Sequence, residues 1–335
     1  MVVIAPYPKH TMKKVACLIC FSFLFVGNVQ SADVTFIELK GHTDYVLSAA
    51  FSPDGKKIIT ASWDDTIKIW NAESGEVLQT LEEYKEDINF AVFSPDGKKV
   101  VIAGDDGTAR IWDADLGKEL QTLRGHAGWM MTAMFSPDGT KIITAGSDGT
   151  ARIWEADSGK ELHKLRGHTN WSSWLSGETL SVHYAAFSPN GTKVVTAGED
   201  GTARIWDAQT GKRLHTLRGN TDSILSASFS PDGKKIVTAD VDSTALIWDA
   251  GSGEVLQTLE GHADWVRSAS FSPDGKKIVT ASDDGTACIW DAGSGEVLQT
   301  LEGHADWVRS ASFSPDGKKI VTASDDEIVR IWTLP

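Results

Sequence analysis

Cysteine is scarce in this chain: its 335 residues include only three. Cys17 and Cys20 fall in an apolar stretch near the N-terminus, so Cys288 is the only cysteine in the rest of the chain. A single cysteine excludes an intramolecular disulfide in that part of the chain. It also excludes a zinc site built from cysteine pairs.

Basic residues are outnumbered by acidic ones, 32 Lys and Arg against 46 Asp and Glu, which gives a formal net charge of −14. The first 31 residues contain Lys9, Lys13 and Lys14 and no acid, so the chain without them has 29 bases against 46 acids and a net charge of −17. Nucleic-acid binding depends on clustered Lys and Arg, and docking on anionic lipid needs them too. Both are therefore excluded as main activities.

Long hydrophobic runs are also lacking, apart from twelve residues at 15–26 with Ser22 as their one polar member. This run is too short for a comfortable membrane span. Lys13 and Lys14 precede it and small residues follow, which predicts a secretory signal peptide over residues 1–31, cleaved after Ser31 or Ala32. Read from Met12, which is an alternative start, it resembles a bacterial signal peptide. We expect a secreted or periplasmic protein of the bacterial envelope with no membrane span after cleavage, the other reading being an uncleaved anchor.

A repeat fills the remaining sequence. An Ile-Trp pair ends at residues 70, 112, 154, 206, 248, 290 and 332, at intervals of 42 residues with one interval of 52. The string FSPDG, once FSPNG, begins at residues 51, 93, 135, 187, 229, 271 and 313. Seven units are therefore present, and the fourth carries a ten-residue insertion over 172–181.

One unit predicts four strands. Apolar or alternating segments at 46–51, 57–62, 66–70 and 77–81 are separated by turn residues such as Asp54-Gly55 and Ser74-Gly75. Four antiparallel strands in about forty residues is the period of a propeller blade. The sequence therefore predicts an all-β, seven-bladed β-propeller over residues 34–335.

The order Gly-His, then SPDG, then Trp-Asp resembles the WD-repeat family, in a form that we expect to be of a bacterial secreted type. Examples of the last pair are Trp112-Asp113, Trp206-Asp207, Trp248-Asp249 and Trp290-Asp291. The seventh unit ends after its third strand, at Trp332, whereas residues 35–39 match a fourth strand. We predict that this N-terminal segment pairs with the last blade and closes the ring.

Histidine, serine, aspartate and tryptophan recur at the same offsets in units one, six and seven: His42, Ser62, Asp64 and Trp70; His262, Ser282, Asp284 and Trp290; His304, Ser324, Asp326 and Trp332. Out of context, such residues suggest a nucleophilic triad. Three identical copies indicate a structural role instead. The resemblance implies a buried chain of hydrogen bonds from Trp through Ser and His to Asp. Units two and five carry Tyr84 and Asn220 in place of His, so we expect their blades to be the least rigid.

The resemblance also implies that one face, the top face, carries the loops before the first strand and the turns between the second and third strands. The candidate partner-binding residues there are Tyr45, Trp63, Trp129, Met131, Trp171, Trp174, His183, Glu199, Trp265, Arg267, Asp283, Trp307, Arg309 and Asp325. Exposed Trp and Arg are typical of interface hot spots. Packing of the same rings against neighbouring loops is the alternative. The lysine-bearing FSPDG hairpins would lie on the opposite face, most simply for solubility.

These features favour a non-catalytic scaffold that binds a protein or peptide with basic or apolar groups. A glycan-binding module is the alternative, because rings of Trp also stack on sugars. The sequence has no metal-ligand cluster, no phosphate-binding loop and no unrepeated nucleophile–base pair, so no metal, cofactor or enzymatic activity is expected; His183 is the best candidate for a catalytic residue. We expect a monomer, although the near-identical blades leave strand exchange open.

Overall fold

The computed structural model describes residues 34–81, 87–169, 180–220 and 222–335. The predicted signal peptide lies outside these residues and stays a prediction. Tyr84, Trp171 and Trp174 also lie outside them. The described residues contain no helix, and hence none long and apolar enough to cross a membrane.

The FSPDG segments are tight turns that reverse the chain between the first two strands of every unit. In the first unit, Ser52 Oγ donates to Asp54 Oδ1 at 2.6 Å and accepts from the Lys57 backbone N–H at 2.9 Å. Gly55 has a φ of 70°, which a residue with a Cβ adopts only with strain. The same turn in each unit explains why the repeat is so regular.

Within the described residues, 28 strands form seven four-stranded antiparallel sheets, here called blades. The strands of each blade are named inner, second, third and outer in that order. Blade one contains β2 (Val46–Phe51), β3 (Lys57–Ser62), β4 (Ile67–Asn71) and β5 (Val77–Leu81), and blade two contains β6 (Ile88–Phe93), β7 (Lys99–Gly104), β8 (Thr108–Asp113) and β9 (Glu119–Arg124). Blade three contains β10 (Met130–Phe135), β11 (Lys141–Gly146), β12 (Thr150–Glu155) and β13 (Glu161–Arg166), and blade four contains β14 (Val182–Phe187), β15 (Lys193–Gly198), β16 (Thr202–Asp207) and β17 (Arg213–Arg218). Blade five contains β18 (Ile224–Phe229), β19 (Lys235–Asp240), β20 (Thr244–Asp249) and β21 (Val255–Glu260), and blade six contains β22 (Val266–Phe271), β23 (Lys277–Ser282), β24 (Ala287–Asp291) and β25 (Val297–Leu301). Blade seven contains β26 (Val308–Phe313), β27 (Lys319–Ser324), β28 (Val329–Thr333) and β1 (Thr35–Leu39).

Blade seven takes its outer strand from the start of the propeller. β1 pairs antiparallel with β28, from Thr35 opposite Thr333 to Leu39 opposite Val329. The backbone N–H of Ala49 in blade one donates to Ser310 Oγ in blade seven at 3.1 Å, and Ala311 and Ser268 make the same bond between blades seven and six. The closing junction is therefore built like the junction beside it. The predicted seven-bladed propeller, including its closure, is confirmed.

The hydrophobic core lies between adjacent blades. The cluster that joins blades seven and one contains Leu39, Val46 and Trp70 together with Val321 and Ile331. Trp70 is 1% exposed. Six equivalent clusters join the other six pairs of adjacent blades. Because each blade buries both faces against its neighbours, every residue of β3 after Lys57 is buried rather than every second one, and the other second strands show the same pattern.

Every inner strand is bulged at its second residue. In blade one the register moves from Val46 opposite Ser62 to Ser48 opposite Ala61, which leaves Leu47 as the extra residue. A bulge of this kind changes the direction of its side chain. The extra residues in the other blades are Asn89, Met131, His183, Leu225, Arg267 and Arg309.

Some lysines of the FSPDG hairpins join neighbouring blades. Lys57 of blade one forms an ion pair with Asp115 of blade two at 2.9 Å, and Lys99 of blade two pairs with Asp157 of blade three at the same distance. Asp115 and Asp157 are largely exposed. These lysines therefore do more than solubilise the hairpins, although an exposed ion pair contributes little, about 0–1 kcal/mol.

Candidate functional site

One backbone hydrogen bond recurs in all seven blades and builds the top face. In blade one the Trp63 N–H donates to the Tyr45 carbonyl at 3.0 Å, and in blade seven the Asp325 N–H donates to the Trp307 carbonyl at 3.0 Å. The bond ties the turn after the second strand to the residue that precedes the inner strand. It therefore places two of the predicted positions of each blade side by side.

Blade four departs from the predicted spacing. There the Glu199 N–H donates to the Ser181 carbonyl at 2.9 Å, so Ser181 occupies the position that the spacing from His168 assigned to Trp171. The assignment of Trp171 to that position is wrong, because the inserted residues lie between His168 and Ser181, ahead of the position that Ser181 occupies. Trp171 and Trp174 themselves lie outside the described residues.

Arginine and tryptophan alternate across the top of blades six and seven. The Arg267 guanidinium lies 4.8 Å from the ring centroid of Trp265 in its own blade and 5.5 Å from that of Trp307 in the next blade. Arg309 lies over Trp307 at 4.9 Å. The bulge at Arg267 and Arg309 directs both side chains to this position. We call these four residues the Trp–Arg ladder.

Each arginine of the ladder is held by a buried aspartate. Arg267 donates through Nε and Nη2 to the two carboxylate oxygens of Asp283, at 2.7 and 2.5 Å. Arg309 binds Asp325 in the same way, at 2.7 and 2.6 Å. Burial raises the pKa of Asp325, Arg309 opposes this, and the net pKa lies above its ordinary value. Bidentate pairs of this kind fix the guanidinium plane.

The indoles of the ladder remain available to a ligand. Trp265 is 39% exposed and Trp307 is 41% exposed, although an arginine covers part of each ring. The aspartates just before them, Asp264 and Asp306, are also exposed, and each accepts a hydrogen bond from the following Trp N–H at 2.8 Å. The ladder is therefore a rigid aromatic surface with carboxylates at its rim.

Blade one continues this surface with two adjacent aromatic rings, tilted by 40° to each other. The centroids of Tyr45 and Trp63 are 5.5 Å apart. Burial, and then the charges of Asp325 and Asp306 in blade seven, raise the pKa of Tyr45. The Trp63 Nε1–H is buried and has no hydrogen-bond partner within the described part of the chain.

The predicted residues of blades three and four have different surroundings. Trp129 is 47% exposed, and Met131 is half-buried. His183 Nε2 lies 3.1 Å from Ser223 Oγ, and burial lowers the pKa of His183 to about 4, so its imidazole is neutral near pH 7. Glu199 is exposed and accepts from the Ser181 N–H at 2.8 Å.

Two features near the channel mouth were not predicted from the sequence. Asn89 Nδ2 lies 2.7 Å from Asp105 Oδ1 and 3.0 Å from the Met130 carbonyl, so it links blades two and three. Phe90 and Tyr184, from blades two and four, meet edge to face with their centroids 6.1 Å apart. Phe90 and Tyr184 are large aromatic residues at a position where four other inner strands carry serine. Alignment of the seven repeats shows this difference, so the sequence alone could have revealed the pair.

The repeated histidines, aspartates and tryptophans form a buried network, but threonine takes the role predicted for serine. Thr60 Oγ1 accepts from the Trp70 indole N–H at 2.9 Å and lies 2.6 Å from His42 Nε2, and His42 Nδ1 lies 2.8 Å from Asp64. Ser62 Oγ instead donates to the Asp44 carbonyl and accepts from the Asp64 N–H. The predicted link from Trp through Ser to His is therefore wrong, because Ser62 lies two residues nearer the turn than the linking Thr60.

The same network recurs around the ring. The linking threonines of blades three, four, six and seven are Thr144, Thr196, Thr280 and Thr322. In blades six and seven, Ser282 and Ser324 make the contacts that Ser62 makes in blade one. Burial alone raises the pKa of Asp64, but hydrogen bonds from His42 and Thr66 outweigh it and hold the pKa well below its usual range. The network is buried and repeated, which suits a structural role.

Blade five replaces the histidine with Asn220 and adds Asp240. The Asn220 amide donates to Asp240, which also accepts from Thr244 Oγ1 at 2.8 Å. Burial raises the pKa of Asp240. Blade five therefore has a different network rather than none, and whether blades two and five are less rigid stays a prediction.

The described residues contain no group of three or more His, Cys, Asp and Glu side chains arranged to hold a metal ion. A stacking surface, the Trp–Arg ladder with Tyr45 and Trp63, is the most developed arrangement of predicted residues. Such a surface can bind flat or apolar groups and cations at its rim.

Comparison with known proteins places the chain in a family. The family model described as WD domain, G-beta repeat matches residues 34–71, 75–113, 117–155, 159–207, 211–249, 253–291 and 295–333. A WD repeat-containing protein of Synechocystis is 52% identical over 46 residues, which is 13% of this chain and 13% of that protein. Ribosome assembly protein 4 of Saccharomyces cerevisiae is 35% identical over 57 residues, 17% of this chain and 11% of that protein. The U5 small nuclear ribonucleoprotein 40 kDa protein of Dictyostelium discoideum is 30% identical over 66 residues, 20% of this chain and 19% of that protein.

Each of these matches spans less than a fifth of the relative's length, so they bear on the repeat and not on a whole protein. The family model, in contrast, matches every blade. Together with the seven closed blades, this shows that the chain belongs to the WD domain, G-beta repeat family of propeller scaffolds.

Proposed function

We propose that this protein is a non-catalytic scaffold that binds a protein or peptide on its top face, across blades six, seven and one. The observation that carries the proposal is the Trp–Arg ladder. Its two indoles are about 40% exposed, yet arginines held by buried aspartates fix them in place. Rigid exposed Trp beside Arg is the composition of interface hot spots.

The charges of this surface support a partner with basic or apolar groups. Asp283 and Asp325 are neutralised by Arg267 and Arg309. The exposed Asp264 and Asp306, in contrast, remain at the rim beside the indoles. A basic side chain of the partner would find a carboxylate and an aromatic face together there.

The relatives add a further reason. Two of them are named for assemblies, ribosome assembly and a small nuclear ribonucleoprotein. We carry over to this chain only the general role of holding partners. Its net negative charge makes nucleic acid an unsuitable ligand.

We further propose that the protein acts outside the cytoplasm, on the basis of the predicted signal peptide. Mass spectrometry of the protein purified from an envelope fraction tests this. A mature N-terminus at Ala32 or Asp33 supports the proposal, and an intact N-terminus argues against it.

The binding surface is tested by affinity capture from the envelope fraction with the wild-type protein and a Trp265→Ala, Trp307→Ala variant. Leu116→Ala is the control, since Leu116 is an apolar side chain 76% exposed in the turn before β9, away from the top face. We expect a protein that wild type and the control retain and the double variant loses. Equal retention by all three places the site elsewhere.

A glycan-binding module is the second candidate, and the exposed indole of Trp129, at 47%, favours it, since exposed indoles also stack on sugars. A glycan array tests it with the wild type and a Trp129→Ala variant. Binding of a glycan that the variant loses would favour this candidate over a protein partner.

A further inference from the structure

Within the described residues, ring closure leaves the outer edge of each of the seven blades without a partner strand. Each blade ends in an outer strand that pairs with its third strand and with no other strand in the described residues. An unpaired edge presents a row of backbone N–H and C=O groups that another strand can pair with. Proteins usually protect such edges with lysine, proline or a covering segment.

Within the described residues, the outer strands of blades one, five and six lack this protection. Together with the residues that flank them, β5, β21 and β25 read EVLQTLE at 76–82, 254–260 and 296–302, with no basic residue and no proline; Glu82 itself lies outside the described residues. Their central apolar side chains face solvent: Leu256 is 48% exposed and Leu298 is 51% exposed. We call these three segments the acidic edges; each has a formal charge of −2.

The outer strands of blades two, three and four carry the opposite charge on the same framework. They read KELQTLR at 118–124, KELHKLR at 160–166 and KRLHTLR at 212–218, with formal charges of +1, +2 and +3 when His is neutral. Lys212, Arg213 and Arg218 are exposed, as is Leu214 between them. We call these the basic edges. They occupy consecutive blades, and the acidic edges lie in the other part of the ring.

We propose that a basic edge of one molecule pairs with an acidic edge of a second copy of this chain. Both kinds of edge have seven residues, with leucine at the third and sixth positions. The first and last residues are acidic in an acidic edge and basic in a basic edge. Opposite charges therefore meet at both ends whether the strands run parallel or antiparallel. The third-position leucines, such as Leu214 and Leu256, are exposed, and they lie opposite each other when the strands run parallel. The common framework of the two edges selects this chain as the partner.

The contact joins two different surfaces, so each molecule keeps further edges of both kinds available. Contacts of this heterologous type extend with concentration unless the geometry closes them. The outer strand of blade seven is unlike either group, because Glu38 is already bound to Lys40 at 2.7 Å and to Arg330 at 2.8 Å. The proposal replaces the monomer expected from the sequence and does not depend on the top face.

The test is sedimentation velocity of the chain over a wide concentration range at low and high salt, with two charge-reversed variants. One carries Glu254→Lys, Glu260→Lys, Glu296→Lys and Glu302→Lys; the other carries Lys160→Glu, Lys212→Glu, Arg213→Glu and Arg218→Glu. All eight side chains are exposed, and unchanged circular dichroism confirms folding. The control variant carries Lys56→Glu, Lys98→Glu, Lys234→Glu and Lys276→Glu in exposed hairpins and changes the net charge by the same amount as the second variant.

We expect wild type and the control to self-associate, more weakly in high salt, and each edge variant to self-associate at least tenfold more weakly. An equimolar mixture of the two edge variants should associate again, because their charges are complementary. A wild type that stays monomeric throughout, a control that weakens association equally, or a mixture that stays apart overturns the proposal.

A synthetic peptide of residues 212–218 tests the competing occupant. If the chain stays monomeric but binds this peptide through its acidic edges, the edges accept an extended basic segment of another protein, and the second copy is excluded. A Trp265→Ala, Trp307→Ala variant should self-associate like wild type, so failure of the top-face proposal and failure of this one are distinguishable.

Discussion

Removing the Thr60 hydroxyl should destabilise the protein more than removing the Ser62 hydroxyl. Thr60 Oγ1 accepts from the Trp70 indole and lies 2.6 Å from His42 Nε2, and Trp70 and His42 are 1% and 5% exposed. Thr60→Val keeps the shape of the side chain but leaves both partners without this hydrogen bond. An unsatisfied buried polar group costs about 1–3 kcal/mol, so with two such groups the free energy of unfolding should fall by about 2–6 kcal/mol.

Ser62→Ala is the matched comparison. Ser62 Oγ bonds two backbone groups, the Asp44 carbonyl and the Asp64 N–H, at 3.0 and 3.1 Å near the top surface. Three blades carry glycine at this position, namely Gly104, Gly146 and Gly198, and in blades three and four the network forms without the hydroxyl. We expect a loss of about 1 kcal/mol. Thr80→Val, the same chemical change on the outer strand, should stay within about 0.5 kcal/mol of wild type.

The assay is equilibrium unfolding in urea, followed by tryptophan fluorescence and by circular dichroism. A fall in the midpoint with an unchanged slope identifies a change in stability alone. If Ser62→Ala destabilises the protein as much as Thr60→Val, the assignment of the linking hydroxyl to threonine is refuted. A loss below about 1 kcal/mol for Thr60→Val would show that water satisfies Trp70 and His42.

Three further predictions concern the same repeats. Glu327→Gly should stabilise the protein by about 1 kcal/mol in thermal or urea unfolding, because Glu327 has a φ of 68° where blade six has Gly285; a loss of stability would contradict this. The pKa of Asp200 in the folded protein is lowered to about 2, and that of Asp64 is lowered further, so the stability that these carboxylates contribute is present above about pH 4 and is lost as the pH falls through and below 2. The melting temperature of the wild type should therefore drop steeply over that pH range, and that of Asp64→Asn should drop less steeply. Equal slopes of melting temperature against pH for the two proteins would refute this prediction. Cys288→Arg should lower the pKa of His262. In blades seven and four the residue equivalent to Cys288 is an arginine, Arg330 or Arg204, and the pKa of the histidine of that blade, His304 or His168, is lowered. An NMR titration checks this, and an unchanged pKa of His262 would show that residue 288 does not set it.

The fold was predictable because its signals are local and repeated. The Asp-Gly turn of the FSPDG segment depends only on residues within it, such as Ser52 and Gly55, and seven copies remove the ambiguity of one. Closure followed from a missing strand at one end and a spare strand, residues 35–39, at the other. Neither inference needed the position of any side chain.

The hydrogen-bond network was only partly predictable. Residues 60 and 62 are both hydroxyl-bearing, and they lie two apart on one strand, so they point to the same face of the sheet. Alternation therefore cannot choose between them. The distance from the Trp70 indole decides, and that depends on the register between β3 and β4, in which Thr60 lies opposite Lys68.

The prediction of the top-face residues was wrong in blade four, where the spacing was counted across the insertion. Counting forward from His168 gives Trp171, whereas counting back from β14 gives Ser181, which the backbone bond to Glu199 identifies as the equivalent residue. The second count is the better one because the inner strand is fixed by its pairing. The loop before it can change length without disturbing that pairing.

The role of the acidic residues on the top face could not be predicted from the sequence. The repeat spacing places Asp283 and Asp325 on the same face as the tryptophans, which suggests that they attract a cation from the partner. The bulge directs Arg267 and Arg309 into that position, so each acid is neutralised and each indole already carries a guanidinium. Of the acids beside these indoles, only Asp264 and Asp306 at the rim are left to attract a basic partner. Binding there should therefore depend mainly on the exposed indole faces and only modestly on salt, which separates this surface from the charged outer edges.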